Sequence, residues 1–126
     1  MSIDKKMLRI AASVAIKNSG HRHDIRTFFL GSIGLRNDGV LVSARNIAAR
    51  DIVLSHHAEA RLARKLTPHS EVWVARIRSN GEWAMSRPCA SCQHRLRIVG
   101  VSRVVYTIGH GEWGVLDLKD EIAKIN

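Results

Sequence analysis

Two strand-like runs, at residues 101–108 and 113–118, are separated only by the Gly109-His110-Gly111 region. Parallel neighbours need a crossover of a dozen or more residues, so these two strands must pair antiparallel. Upstream, the strand formers at 27–35 and 40–43 flank Asn37-Asp38-Gly39, a turn signal that predicts a β-hairpin. Residues 72–77 supply a further strand, followed by a loop at Ser79-Asn80-Gly81. Five strands are therefore expected.

Helical signals fall between them. Ser2 or Asp4 caps a first helix with Ile3, Met7, Ile10, Ala11 and Val14 at helical spacing, stopped by Asn18-Ser19-Gly20. A second helix is expected from about Ser55 to Leu66, with Ala58, Leu62 and Leu66 four apart and Thr67-Pro68 closing it. A third opens at Pro88 and runs to Val99, with Gly100 beyond its end. A short terminal helix fits residues 119–125. Strands alternating with helices in this way predict an α/β domain.

At 126 residues the chain has the length of one domain spanning 1–126, enough for one covered sheet and one site. Its 45% hydrophobic and 25% charged residues exclude a disordered or fibrous chain. No apolar run approaches the roughly 20 residues of a membrane span, and the N-terminus lacks a signal-like apolar segment. No membrane partner and a cytoplasmic location are the expectation. Twenty Lys and Arg against eleven Asp and Glu leave a net charge of +9, which attracts phosphate-bearing partners such as nucleic acid. The basic residues are spread along the chain, so a generally basic soluble surface is an equal alternative.

The cysteines carry the most specific chemistry. Cys89 and Cys92 are three apart at a helix start, on one face, where the helix dipole favours the thiolates that a metal requires. Such a close pair is a poor staple for a secreted domain and a better metal site. Adding the imidazole of His57 would give three protein ligands and an open tetrahedral position for water, the arrangement of catalytic zinc. Zinc lowers the pKa of such a water toward about 7, and a carboxylate such as Glu59 could then carry the protons. A closed zinc site with His56 or His94 as fourth ligand, or a pair of inert core cysteines, is the structural alternative. Residues two apart on a helix point to different sides, so spacing alone does not aim His57 and Glu59 at one ion.

Taken together, His57-Ala58-Glu59 and Pro88-Cys89-Ala90-Ser91-Cys92 resemble the H-x-E and P-C-x-x-C signature of the zinc-dependent cytidine deaminase superfamily, in its cytidine deaminase-like branch. The resemblance covers the chain from about Thr27 onward. It implies a three-layer fold with a five-stranded mixed sheet, antiparallel strands 4 and 5, and helices on both faces. It also implies zinc held by His57, Cys89 and Cys92, with Glu59 as the proton-carrying catalytic residue. Gly31-Ser32 resembles the family's Gly-Ala in the first strand. Arg45-Asn46-Ile47 resembles its substrate-binding segment, which makes Asn46 a sugar contact. The backbone of Ala58 would meet the base, and Phe28 or Phe29 would pack near the sugar or base, with core packing as the alternative.

The departures bear on substrate. Ala48 stands where free-nucleoside cytidine deaminases usually carry a sugar-binding glutamate, and Gln93-His94 replaces the usual Arg-Gln. Antiparallel final strands still favour this branch over the deoxycytidylate and tRNA-adenosine branches, which the resemblance associates with parallel strands. The expected activity is conversion of cytosine to uracil in a nucleoside or nucleotide. The alternative is a cytosine deaminase acting on single-stranded DNA or RNA, tracked by Arg22, Arg26, Arg45, Arg50 and Arg61 with Trp83 or Trp113 as stacking faces. A noncatalytic zinc-stabilised binding module is a third reading, which the intact Glu59 opposes. The resemblance also implies assembly, since relatives of this size commonly associate so that neighbouring subunits complete or cover active sites, and a homo-oligomer is expected.

Overall fold

A computed structural model of the chain describes residues 2–16, 28–45 and 62–118. At its centre lies β3 (Glu71–Arg78), whose residues from Val72 through Ala75 are all buried. A continuous apolar run of this kind is buried on both faces. Val72 and Val74 enter one core cluster, whereas Trp73, Ala75 and Ile77 enter clusters on the other side.

Around β3 the sheet runs β2-β1-β3-β5-β6, with β1 (Phe28–Leu35), β2 (Leu41–Arg45), β5 (Arg103–Gly109) and β6 (Glu112–Asp117). Strands β1 and β2 form the expected hairpin, in which Gly39 takes φ 85° and the Val40 N–H donates to Asp38 Oδ1 at 3.1 Å. Strands β5 and β6 pair antiparallel, as their short connection requires, whereas β3 and β5 are parallel. One strand was not expected. Trp83–Ala84 forms β4, antiparallel to the end of β3, which makes six strands instead of five. Residues 101 and 102 precede β5, because the Val101 N–H closes the preceding helix on Leu96 O and the Ser102 N–H donates to Ser70 O.

One layer of helix is α1 (Ile3–Ile16), in which Ser2 is the cap: its Oγ accepts from the Lys5 N–H at 3.1 Å. The buried stripe is Leu8, Ala11 and Ala15, while Ile3 and Ile10 are 73% and 39% exposed. The larger isoleucines face outward because the helix backbone rests directly on β1. A Cβ at Gly31 would lie 2.3 Å from Ala11 O and 2.6 Å from Ala15 N. Asp4 ties this layer to the sheet. Its carboxylate accepts from Arg103 at 2.8 and 3.2 Å and from Trp73 Nε1 at 3.0 Å.

The opposite face is covered by α2 (Ala90–Val99), where Leu96 and Val99 join Leu62 and Leu66 over Val72, Val74, Val104, Tyr106 and Leu116. The helix stops at Gly100, at φ 95°, whose N–H meets the carbonyls of Leu96 and Arg97. This is a left-handed cap that favours glycine. Of the expected helix at 55–66, only its end is described: Leu62 and Ala63 are helical and the turn closes with Lys65 N–H on Leu62 O. The sheet therefore has helical cover on both faces. Among the described residues no helix is long and apolar enough to cross a membrane.

Candidate active site

The parallel strands β3 and β5 stay paired only as far as Val74 and Tyr106. Beyond that point residues 84–86 lie between them: Ala84 pairs with Arg76 on β3, and the Ser86 N–H donates to Thr107 O at 2.9 Å. The chain leaves this crevice through Arg87 and Pro88 into α2. Crevices beyond the carboxyl ends of parallel strands are common places for ligands in α/β sheets.

Cys89 is the N-cap of α2, extended at φ −68° and ψ 166°, and its side chain makes no capping hydrogen bond. It is exposed, whereas Cys92, three residues on, is buried, and neither forms a disulfide. The helix thus begins one residue after Cys89 instead of at Pro88. The first helical bond runs from Gln93 N–H to Cys89 O at 2.9 Å, and Gln93 Nε2 reaches back to Pro88 O at 2.8 Å. Gln93 is one of the two departures noted in the sequence, and here it clasps the corner before the cysteines.

The donor set suits zinc. An uncapped sulfur at the N-cap and a second sulfur in the first turn supply two soft ligands at the spacing of a P-C-x-x-C site. Among the described residues no group of three His, Cys, Asp or Glu side chains is gathered that could hold a metal. The third ligand expected from the sequence, His57, lies outside the described residues, as do Asn46, Ala58 and Glu59. Phe28 opens β1 opposite Arg78. Phe29 is half-buried against the α1-side cluster, so it serves the core.

Among the described residues the sequence around the cysteines is basic. No Asp or Glu occurs between Glu82 and Glu112, and Arg87, Arg95 and Arg97 flank or follow the cysteines, whereas Arg103 in the same stretch is paired with Asp4 on the α1 side. Arg87, exposed and two residues before Cys89, places its guanidinium 5.9 Å from the centre of the Tyr106 ring. Trp83 and Trp113 both pack against clusters on the α1 side, away from the face that α2 covers. His94 is exposed on α2, and His110 lies edge-on to Trp83 with ring centres 6.2 Å apart.

Ser86 and Thr107, both buried at the crevice, were not singled out by the sequence. The one signal available was a threonine inside the otherwise apolar run from Val104 to Ile108.

A mixed sheet covered on both faces, with a cysteine-bearing helix crossing between its parallel strands, defines a three-layer α/β class. No family model and no curated protein matches the sequence. Solved structures do. The cytidine deaminase from Burkholderia pseudomallei is similar with a TM-score of 0.68 at 19% identity, covering 95% of each chain. That from Mycobacterium leprae gives 0.57 at 20% identity, covering 97% of this chain and 98% of its own. The cytidine deaminase from Bacillus anthracis gives 0.56 at 11% identity, over 95% and 86%. The chain has the cytidine deaminase-like fold.

Proposed function

We propose that the chain, as one domain over 1–126, is a zinc-dependent hydrolytic deaminase that converts cytosine to uracil in a nucleoside or nucleotide. The observation that carries this reading is the Cys89 and Cys92 pair at the start of α2, in a fold shared with solved cytidine deaminases. His57, Cys89 and Cys92 would hold the metal. Zinc, when bound, supplies a Lewis acid that makes water nucleophilic at neutral pH.

Glu59 then moves the protons. It takes one from the attacking water, delivers it to the ring nitrogen of the base, and helps protonate the departing amine, so that water and cytosine give uracil and ammonia. Asn46 binds a sugar hydroxyl, the Ala58 backbone meets the base, and Phe28 packs near the sugar. The enzyme is cytoplasmic and assembles as a homo-oligomer. A monomeric mass by light scattering would remove that last element alone.

A second reading, deamination of cytosine in single-stranded DNA or RNA, is favoured by one observation: the acid-free stretch from Trp83 to Gly111, with Arg87 exposed beside the cysteine corner. One assay separates the two. Purified protein is offered cytidine, deoxycytidine, their monophosphates, single-stranded DNA and single-stranded RNA at several salt concentrations. Turnover of free nucleosides or monophosphates with little salt dependence supports the first reading. Turnover confined to polymers and falling steeply with salt supports the second, because neutralising several phosphates releases counterions. No turnover of any cytosine substrate by zinc-loaded protein would overturn both.

A further inference from the structure

We infer that Thr107 and Ser86 form a hydroxyl pair that positions the Cys89 and Cys92 corner for metal binding, an inference that rests on the zinc reading above. The pair lies where β3 and β5 part. Thr107 is fully buried and Ser86 is 4% exposed, so the polar atoms there need hydrogen-bond partners.

The hydrogen bonds close completely. The Ser86 hydroxyl donates to Val74 O on β3 at 2.9 Å and accepts from the Thr107 N–H at 2.7 Å. The Thr107 hydroxyl accepts from the Arg76 N–H at 3.2 Å, replacing the bond that β5 no longer gives β3. Its single proton has Ala84 O at 2.6 Å and Ser86 Oγ at 2.8 Å within reach. The Ser86 N–H completes the set on Thr107 O at 2.9 Å. Two hydroxyls thus bind three strands, β3, β4 and β5, to the segment that leads into α2.

Its place in the chain gives this network a directed effect. Ser86 is three residues before Cys89, with Pro88 stiffening the link between them. On the helix side, Gln93 holds Pro88 O. The corner is therefore fixed from the sheet by Ser86 and from the helix by Gln93, and the N-cap sulfur, uncommitted to capping, takes its position from both. Outer groups that orient ligands are commonly worth about 10–100-fold in metal affinity. Thr107 and Ser86 touch neither sulfur among these contacts and act through the backbone, so they are positioning residues.

The test uses the full chain with zinc and cobalt as probes. Affinity is measured by chelator competition, alongside the rate at which the metal-free thiols react with an aromatic disulfide and the thermal unfolding midpoint. Thr107→Val keeps the shape but removes the hydroxyl, and should weaken zinc binding about tenfold and change the thiol reaction rate. Thr107→Ser, which restores the hydroxyl, should return affinity to within about threefold of wild type. Ser86→Ala provides the same comparison if the valine variant does not fold, with the same loss expected. A folded variant that melts earlier yet binds zinc with wild-type affinity and keeps wild-type thiol reactivity would overturn the positioning role while leaving the zinc reading intact. Wild-type protein that takes up no zinc would overturn the zinc reading, and this role with it.

Discussion

Gly31 is the position at which one added carbon should do most to separate the layers of this fold. Its Cβ would meet backbone, with Ala11 O at 2.3 Å, Ala15 N at 2.6 Å and Ala15 Cα at 2.9 Å, so no side-chain rotation can relieve the clash. Either α1 lifts from β1 or the strand bends. Overpacking of well-packed interiors costs roughly 1–3 kcal/mol, and a clash against a helix backbone belongs at the upper end, about 3 kcal/mol. Alanine also reduces the freedom of the unfolded chain, which offsets about 0.4–1 kcal/mol. A net loss of about 2 kcal/mol remains, and at about 4 °C per kcal/mol for a chain of this size the midpoint should fall by about 8 °C. Thermal unfolding followed by circular dichroism measures this directly. Gly81→Ala is the comparison: that glycine has open space around it but φ 89°, so only backbone strain of about 1 kcal/mol is expected. A Gly31→Ala protein as stable as wild type, or less destabilised than Gly81→Ala, would refute the direct seating of α1 on β1.

Two further changes probe the fold and the metal. Asp4→Asn should lower stability by about 1–2 kcal/mol at neutral pH, because it breaks the paired contact with Arg103 that ties α1 to β5. The hydrogen bond from Arg103 holds the Asp4 carboxyl below its usual range. The wild-type contribution is therefore complete above the unfolded value of about 3.9 and is lost as pH falls through the lower folded value, whereas the asparagine variant lacks this acid-sensitive part. Urea unfolding between about pH 3 and pH 7 checks both, and equal pH slopes for the two proteins would contradict it. Cys89→Ser should reduce zinc content from about one ion per chain to near zero, because a hydroxyl is a poor replacement for a thiolate ligand. Equal zinc in the two purified proteins, measured by atomic emission, would count against the cysteine pair as ligands.

Local rules made most of the architecture legible. The hairpin followed from Asn37-Asp38-Gly39, the antiparallel β5 and β6 from their short connection, and the end of α2 from Gly100. What escaped depends on contacts far apart in the chain. Strand β4 is two residues long and exists because Ala84 finds β3 and Thr107, neither of which its own sequence announces. The expected α1 face of Ile3, Met7, Ile10, Ala11 and Val14 held at Ala11, but Ile3 and Ile10 are exposed, and Leu8 and Ala15 are buried with Ala11, where the helix backbone approaches Gly31 closely. Of the two expected cap residues, Ser2 takes the role, and Asp4 proves to be the partner of Arg103, 99 residues away. At the candidate site, the placing of the two cysteines at the start of a helix was legible from Pro88 and the stop at Gly100. The hydroxyls of Ser86 and Thr107 were not, since serine and threonine serve in turns, caps and cores alike.

The proton-carrying role of Glu59 is the most direct test of the proposed chemistry. Uracil formation by zinc-loaded wild-type and Glu59→Ala protein, on whichever cytosine substrate the wild type turns over, should differ by at least about a hundredfold, as removal of a general acid and base requires. Zinc content should be the same in both. Unchanged turnover in the alanine variant would contradict the account.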